Sequence, residues 1–263
     1  MKYGTVVITG ASAGLGEEFA QQMAGNSEHL VLVARRADRL ESIQQKLADA
    51  FPQTKVSLEV VDLNDDEQLE TFASKLQDGT YEPHVLVNNA GMGDLGSFRK
   101  SEWPKVEAMM NLNMTVLTRL AHAAAVVMSK RKRGEILNVS SMASMLPIPD
   151  FAVYAATKAY VTSFSEALKI ELKEHNVGVT ALCPGPVHTE FGSVANRNPD
   201  EDEVNVPAWA MVSKEKCVRD ALNAMDARRA RIFPGMQIKA ATTFIRMLPM
   251  PLLRVVLGRR PRK

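Results

Sequence analysis

The chain of 263 residues carries two cysteines, Cys183 and Cys217, far apart in sequence. That is too few for the disulfide framework of a small secreted scaffold, so a reduced compartment with two buried thiols is expected. Long apolar runs are missing as well. The first apolar stretch is Val6-Val7-Ile8, too short for the core of a signal peptide, which makes the cytoplasm the expected location. Aromatic residues are scarce at 6%. No aromatic platform or basic recognition helix is visible, so nucleic-acid binding is not expected, and no metal site is expected either. Acids are absent from residues 228–263, which hold ten Lys or Arg and leave 22 basic against 30 acidic residues upstream. The net charge of +2 thus conceals an acidic body and a cationic tail, suited to a solvated end or to an anionic surface such as a membrane.

What is present reads as a large soluble domain, with 46% hydrophobic and 24% charged residues. Short β-branched or apolar stretches at 5–9, 29–34, 55–61, 84–87, 134–140 and 177–182 alternate with helical patterns at 17–24, 38–50, from about 65, at 103–131 and from Tyr154 to about 175. This alternation predicts a doubly wound parallel α/β sheet of Rossmann-like type, flanked by helices. A helix at 213–227 and a seventh strand near 230–233 complete a single domain spanning 1–263. Residues 190–212, with acids from Asp200 to Glu203 and then Pro207 and Trp209, read as a lid over a substrate. Residues 236–263 form a basic, apolar extension interrupted by Pro249 and Pro251, too broken to span a bilayer. It would cover the cleft, join subunits or lie against a membrane surface.

Residues of interest fall where the strands end. Gly10, Gly14 and Gly16, spaced GxxxGxG, permit a tight turn that lets the following helix hold a pyrophosphate on its amide hydrogens. After the second strand come Arg35 and Arg36 rather than an acid, which suits a 2′-phosphate and favours NADP(H) over NAD(H). Asp62 ends the third strand, to meet an adenine amino group or to cap the next helix. Asn88-Asn89-Ala90-Gly91 follows the fourth strand, small enough for close approach to a cofactor and with amides able to tie loops together. Asn111 and Asn113 lie inside a long helix, where asparagine is a poor former and calls for a kink, a water or a relay. Tyr154 and Lys158 are four apart and share a helical face. An ammonium there would favour a phenolate, although such a pair by itself is as easily structural.

Taken in order, Thr9-Gly10 to Gly16, Asn88 to Gly91, Asn113, Ser141, Tyr154 with Lys158, and Pro184-Gly185 resemble the short-chain dehydrogenase/reductase family in its single-domain form, over residues 1 to about 190. The resemblance implies hydride transfer between NADP(H) and a small carbonyl or alcohol substrate. Tyr154 would be the acid/base, Ser141 rather than Ser140 would bind the carbonyl, Lys158 would lower the Tyr154 pKa and hold the nicotinamide ribose, and Asn113 would hold a relay water. Implied cofactor contacts are Gly10, Ser12, Ala13, Gly14, Leu15, Gly16, Arg35, Arg36, Asp62, Leu63, Asn89, Ala90, Gly91, Tyr154, Lys158, Pro184, Gly185, Val187 and Thr189. Ala13 stands where many NADPH-preferring relatives carry a basic residue, so the cofactor expectation rests mostly on Arg35. A homodimer or homotetramer is expected. The apolar loop 142–151 and the methionine-rich tail suggest a fairly hydrophobic substrate. The rival expectation is a protein that binds NADP(H) as a redox signal without chemistry.

Overall fold

In the structure, a computed structural model that describes residues 1–197 and 211–258, seven parallel strands form one sheet in the order β3-β2-β1-β4-β5-β6-β7. The strands are β1 (Tyr3–Thr9), β2 (Ser27–Ala34), β3 (Lys55–Val60), β4 (Val85–Asn88), β5 (Gly134–Val139), β6 (Val177–Leu182) and β7 (Arg231–Ile232). Their near-continuous Val, Ile and Leu content is what a parallel sheet covered on both faces requires. Alternation sorts the side chains between the faces. Val6, Ile8, Leu30, Leu32 and Val87 pack under α1 (Gly14–Ala24), α2 (Ala37–Ala50) and α8 (Lys214–Asp226), whereas Val7, Val31, Leu86, Ile136 and Val179 pack under α3 (Asp66–Lys75) and α5 (Leu117–Arg131).

Chain order reverses beside β1, between β2 and β4, and such a switch point leaves a crevice outside the strand carboxyl ends. The walls of that crevice are tied together by side chains. The Asn89 amide donates to the carbonyls of Thr9 (3.0 Å) and Gly10 (3.2 Å), and the Thr9 hydroxyl accepts from the main-chain N–H groups of Asn89 and Ala90, both at 3.0 Å. Deeper in the sheet the Asn88 amide donates to Asn138 Oδ1 at 3.0 Å, and the Asn138 amide donates to Ser165 on α6 (Ala152–Glu171), also at 3.0 Å.

The long helix expected at 103–131 is interrupted. α4 (Trp103–Met110) passes through a π turn over Asn111–Val116 into α5, so the two asparagines sit where the helix widens by a residue. Although this apolar run is long enough to cross a membrane by length and composition, Leu120, Ala121, Ala123, Ala124 and Met128 are fully buried in the protein core. The cap of α3 is Asp65, whose carboxylate accepts from the Gln68 N–H at 3.0 Å; Asp62 is not the cap. Both cysteines are free and buried.

Beyond β6 the chain forms a short helix, α7 (Phe191–Ala195), and Val187 bridges to Val212. The acidic run, Pro207 and Trp209 assigned to the lid lie outside the described residues, as do Arg259 to Lys263. The terminal stretch, expected only as broken apolar sequence, makes two helices, α9 (Met236–Met247) and α10 (Met250–Gly258), separated at Pro249. Ile238 and Leu253 anchor them inward, while Met236, Phe244, Met250, Leu252 and Val255 are exposed.

Gly16 shows how tightly the first turn is drawn: a Cβ there would stand 2.2 Å from the Gly10 carbonyl oxygen and 2.7 Å from the Asn89 amide nitrogen. Gly16→Ala is therefore expected to destabilise the fold by about 1–3 kcal/mol and to weaken dinucleotide binding. Thermal melting and cofactor titration check both effects, and an unchanged melting temperature would contradict the geometry.

Candidate active site

The N-terminus of α6 brings Tyr154 and Lys158 beneath the end of β5, and both side chains are buried. The two adjacent serines at the end of β5 diverge. Ser140 donates to the Lys158 carbonyl at 2.8 Å and pairs with Thr162 at 2.7 Å, so it is spent on holding α6 to the sheet. Ser141 Oγ accepts from the Ala143 N–H at 3.1 Å, which leaves the Ser141 proton to donate, and Ser141 is near enough to Tyr154 to draw the phenol partly down.

Asn113, fully buried in the π turn, is held on three sides. Its amide donates to the Met92 carbonyl at 2.9 Å and to the Thr157 hydroxyl at 3.0 Å, while its oxygen accepts from the Met92 N–H at 2.9 Å. Thr157 in turn donates to the Tyr154 carbonyl at 2.8 Å. Asn111, by contrast, donates to Asn64 Oδ1 at 3.1 Å. The clamp thus joins the loop after β4, the π turn and the first turn of α6, and Asn113 is the residue at its centre.

Lys158 departs from expectation. Its Nζ donates to the Val139 carbonyl at 2.9 Å and lies 5.7 Å from the centroid of the Tyr154 ring. Burial outweighs attraction here: loss of solvent pushes Tyr154 up to about 12, with Ser141 drawing it partly back. The same desolvation carries Lys158 down to about 8. Lowering of the Tyr154 pKa by Lys158 is therefore not seen. An ammonium committed to a main-chain carbonyl does too little to offset the cost of burying a phenolate.

The residues expected at a dinucleotide surround the crevice in a form that fits one. Ala13, at the N-cap of α1, offers no side-chain acceptor, so the first amide hydrogens of the helix are open to an anion. Gly14, at φ +57°, faces Thr189, whose Cγ2 would lie 3.2 Å from a Cβ at position 14. A Cβ at Gly91 would stand 3.2 Å from Asn113 Oδ1 and 3.3 Å from Lys158 Nζ; only a glycine leaves this approach open. Arg36 reaches back to Ser12, its Nε 3.3 Å from Oγ, and pairs with Glu190 at 3.3 Å. Arg35 is mostly exposed, 3.7 Å from an Asp62 oxygen, and the other Asp62 oxygen accepts from the Asn64 N–H at 3.0 Å. The Leu63 side chain is buried in the core, which leaves its main chain for a ligand. The Pro184 carbonyl is taken by the Met142 N–H at 2.8 Å, and Gly185 is crowded by Ile238 and Met142. Ser12 and Leu15 belong to the same turn, on the side of the sheet core where Leu15 packs.

This arrangement agrees with a comparison of whole sequences, in which the model of the family described as short chain dehydrogenase matches residues 4–200. The chain belongs to that family. Serine 3-dehydrogenase from Rhizobium radiobacter is 33% identical to it over 205 residues, which are 77% of this chain and 80% of that one. A short-chain dehydrogenase from Sphingobium yanoikuyae, solved in complex with NADPH, has a TM-score of 0.83 at 30% identity, across 99% of this chain and 97% of that one. The bulky-bulky ketone specific alcohol dehydrogenase from Comamonas testosteroni has a TM-score of 0.79 at 26% identity, across 100% and 96%. This short-chain dehydrogenase is thus an oxidoreductase of alcohol and carbonyl groups with a nicotinamide cofactor.

Several neighbours of the site escaped the sequence reading. Thr157 sits beside Tyr154 at a spacing of three, a helical signal that was available, and Phe151, which ends the apolar loop 142–151, stacks on the Tyr154 ring. Asp94 and Arg197, 103 residues apart, gave no local signal. The Asp94 carboxylate is buried, accepts from Arg197 Nε at 2.7 Å and from its Nη2, and lies 3.2 Å from Lys105 Nζ. With the bridge between Leu95 and Asn196, this pair fastens the segment after α7 to the loop after β4. The Arg197 hydrogen bonds hold the Asp94 carboxyl below the usual range, so its contribution is present above the ordinary carboxylate pKa and is lost as pH falls through the lowered value. Arg197→Ala is expected to cost about 3 kcal/mol at neutral pH by leaving a buried carboxylate short of a partner. The gap from the parent should narrow as pH falls through the lowered Asp94 value, and melting curves across acid pH measure it.

Proposed function

We propose that this short-chain dehydrogenase interconverts a carbonyl compound and its alcohol with NADP(H), using Tyr154 as the acid and base. The observation that carries the reading is the buried Tyr154 with Ser141 beside it, its proton free to meet a substrate, and with Lys158 and Asn113 converging on the open side of Gly91. A bound nicotinamide supplies or accepts the hydride. Ser141 donates its proton to the carbonyl oxygen and so places that oxygen beside the Tyr154 hydroxyl. A phenol at about 12 is neutral near pH 7, the form that donates a proton during reduction. Lys158, charged below about 8, favours the phenolate left behind and presents hydrogen-bond donors to the nicotinamide ribose. The Asn113 side chain is committed to Met92 and Thr157, so holding a relay water falls to its main-chain carbonyl.

Preference for NADP(H) rests on Arg35 and Arg36 at the end of β2, where a 2′-phosphate would find two guanidinium groups and no acid on the strand end itself. The NADPH bound to the Sphingobium yanoikuyae relative supports the same reading. A role limited to sensing the cofactor would leave the Ser141, Tyr154 and Lys158 arrangement without a purpose, and chemistry is the better account.

Tyr154→Phe is expected to lower turnover at least about 100-fold while NADPH still binds; retained turnover would end the proposed mechanism. In the parent enzyme kcat/KM for reduction should fall as pH rises through about 8, where Lys158 loses its proton, and alcohol oxidation should rise only toward the alkaline end, as pH approaches the Tyr154 value of about 12. Initial rates in both directions from pH 6 to 10 test this, and a flat reduction profile would remove Lys158 from it. Arg35→Asp is expected to move the ratio of kcat/KM for NADPH over NADH roughly tenfold or more toward NADH, as a lost charged contact to phosphate should.

A further inference from the structure

The Tyr154 ring is bordered by two others. Phe151 stacks on it with centroids 4.2 Å apart at 20°, and Phe191 leans on it at 5.5 Å and 48°. Phe191 comes from α7, and a glycine makes room for it: a Cβ on Gly93 would fall 2.8 Å from Phe191 Cζ and 2.8 Å from the Ala195 methyl. Met92, Ile148, Phe151 and Val153 pack around the buried set Met109, Ala143, Tyr154 and Ala155. On the neighbouring loop Met142 and Ile238 both approach Gly185.

Among the described residues, four charged groups on these same segments leave no cation free beside the Tyr154 ring: Asp150, next to Phe151, is exposed and acidic, and the other three are already engaged. Asp94 is held by Arg197 and Lys105, Lys158 by the Val139 carbonyl, and Glu190 by Arg36 and Arg39. Among the described residues, the wall next to Tyr154 is thus aromatic and thioether-rich, with Ser141 as its polar handle. A carboxylate or sulfonate lodged there would lose its hydration without gaining a partner. A flat apolar substituent would gain ring contacts.

Resting on the reading of Tyr154 as the acid, we propose that the cleft takes a bulky apolar ketone or aldehyde, with an aryl or comparable flat group, and that Phe191 is a specificity-determining residue for it. The substrate carbonyl meets Ser141 and Tyr154 while its flat substituent lies in the place that Phe191 covers. Specificity comes from the contact of Phe191 with that substituent, separate from the proton-handling atoms.

The test measures NADPH oxidation by the full chain with benzophenone and acetophenone as aryl ketones, acetone as a small ketone and glyoxylate as a charged aldehyde. The expected order of kcat/KM is aryl ketones above acetone, and glyoxylate lowest. In Phe191→Ala the benzophenone-to-acetone ratio should fall about tenfold or more, the size of a lost apolar contact in a specificity pocket, with the change in KM rather than kcat. Phe191→Tyr, which restores the ring, should recover the ratio. Glyoxylate reduced as well as benzophenone, or a ratio unmoved by Phe191→Ala, overturns the inference while leaving the Tyr154 reading standing. Oxidation of NADPH by none of the four, in an enzyme that binds NADPH and is folded, would count against that reading itself.

Discussion

Thr9 and Asn89 hold the ends of β1 and β4 together, and the geometry of the crevice depends on that tie. The main-chain N–H groups of Asn89 and Ala90 both point at the Thr9 hydroxyl, the Asn89 one shared with the Val87 carbonyl, and the Asn89 amide satisfies two carbonyls that the divergence of the strands would leave unpaired. At a switch point neighbouring loops run away from each other, so their backbone groups cannot pair directly. Side chains of the right length replace the missing ladder. The glycine turn after β1 and the Asn88 to Gly91 segment after β4 are thereby set at a fixed separation, and the approach of Gly16 to the Gly10 carbonyl makes sense only within it.

The second constraint is electrostatic. Both reactive groups on α6 are buried, and in each case loss of water moves the pKa toward the neutral form. The protein stabilises these polar atoms through hydrogen bonds to main chain and hydroxyls rather than through a tight ion pair. Such a site starts reduction with its proton in place. It also concentrates cost at the catalytic helix, where a buried Lys158 contributes less to stability than an apolar side chain of the same size would.

Much of this was legible in the residues. Alternating apolar strands and helices, with Gly10, Arg35, Asn88, Ser141 and Gly185 at the strand ends, read correctly as a parallel sheet because both signals are local and periodic. The choice between Ser140 and Ser141 is likewise accompanied by a clear difference in hydrogen bonding. Less was legible wherever a contact joins distant segments. Nothing in the neighbourhood of Asp94 announces Arg197, and nothing near Gly93 announces Phe191. The tail read as interrupted sequence because Pro249 and Pro251 masked two short helices whose periodicity is too brief to stand out. The effect of Lys158 on Tyr154, expected from their spacing and from the family resemblance, is governed by burial, which neither reports.

The π turn at Asn111–Val116 gives the helix through 103–131 an odd phase. Each residue of an α-helix advances about 100°, so a one-residue insertion that is absorbed as a π turn lets α4 and α5 each keep its own apolar face inward: Val106 and Met109 on one side of the turn, Leu117 and Leu120 on the other. Shortening this stretch by one residue would not merely straighten it. It would rotate the whole of α4 with respect to the sheet, carrying Val106 and Met109 away from their contacts. The length of this helix is therefore quantised, in contrast to the loops at the opposite ends of the strands, and the position of Asn113 is an arithmetic consequence of its residue count.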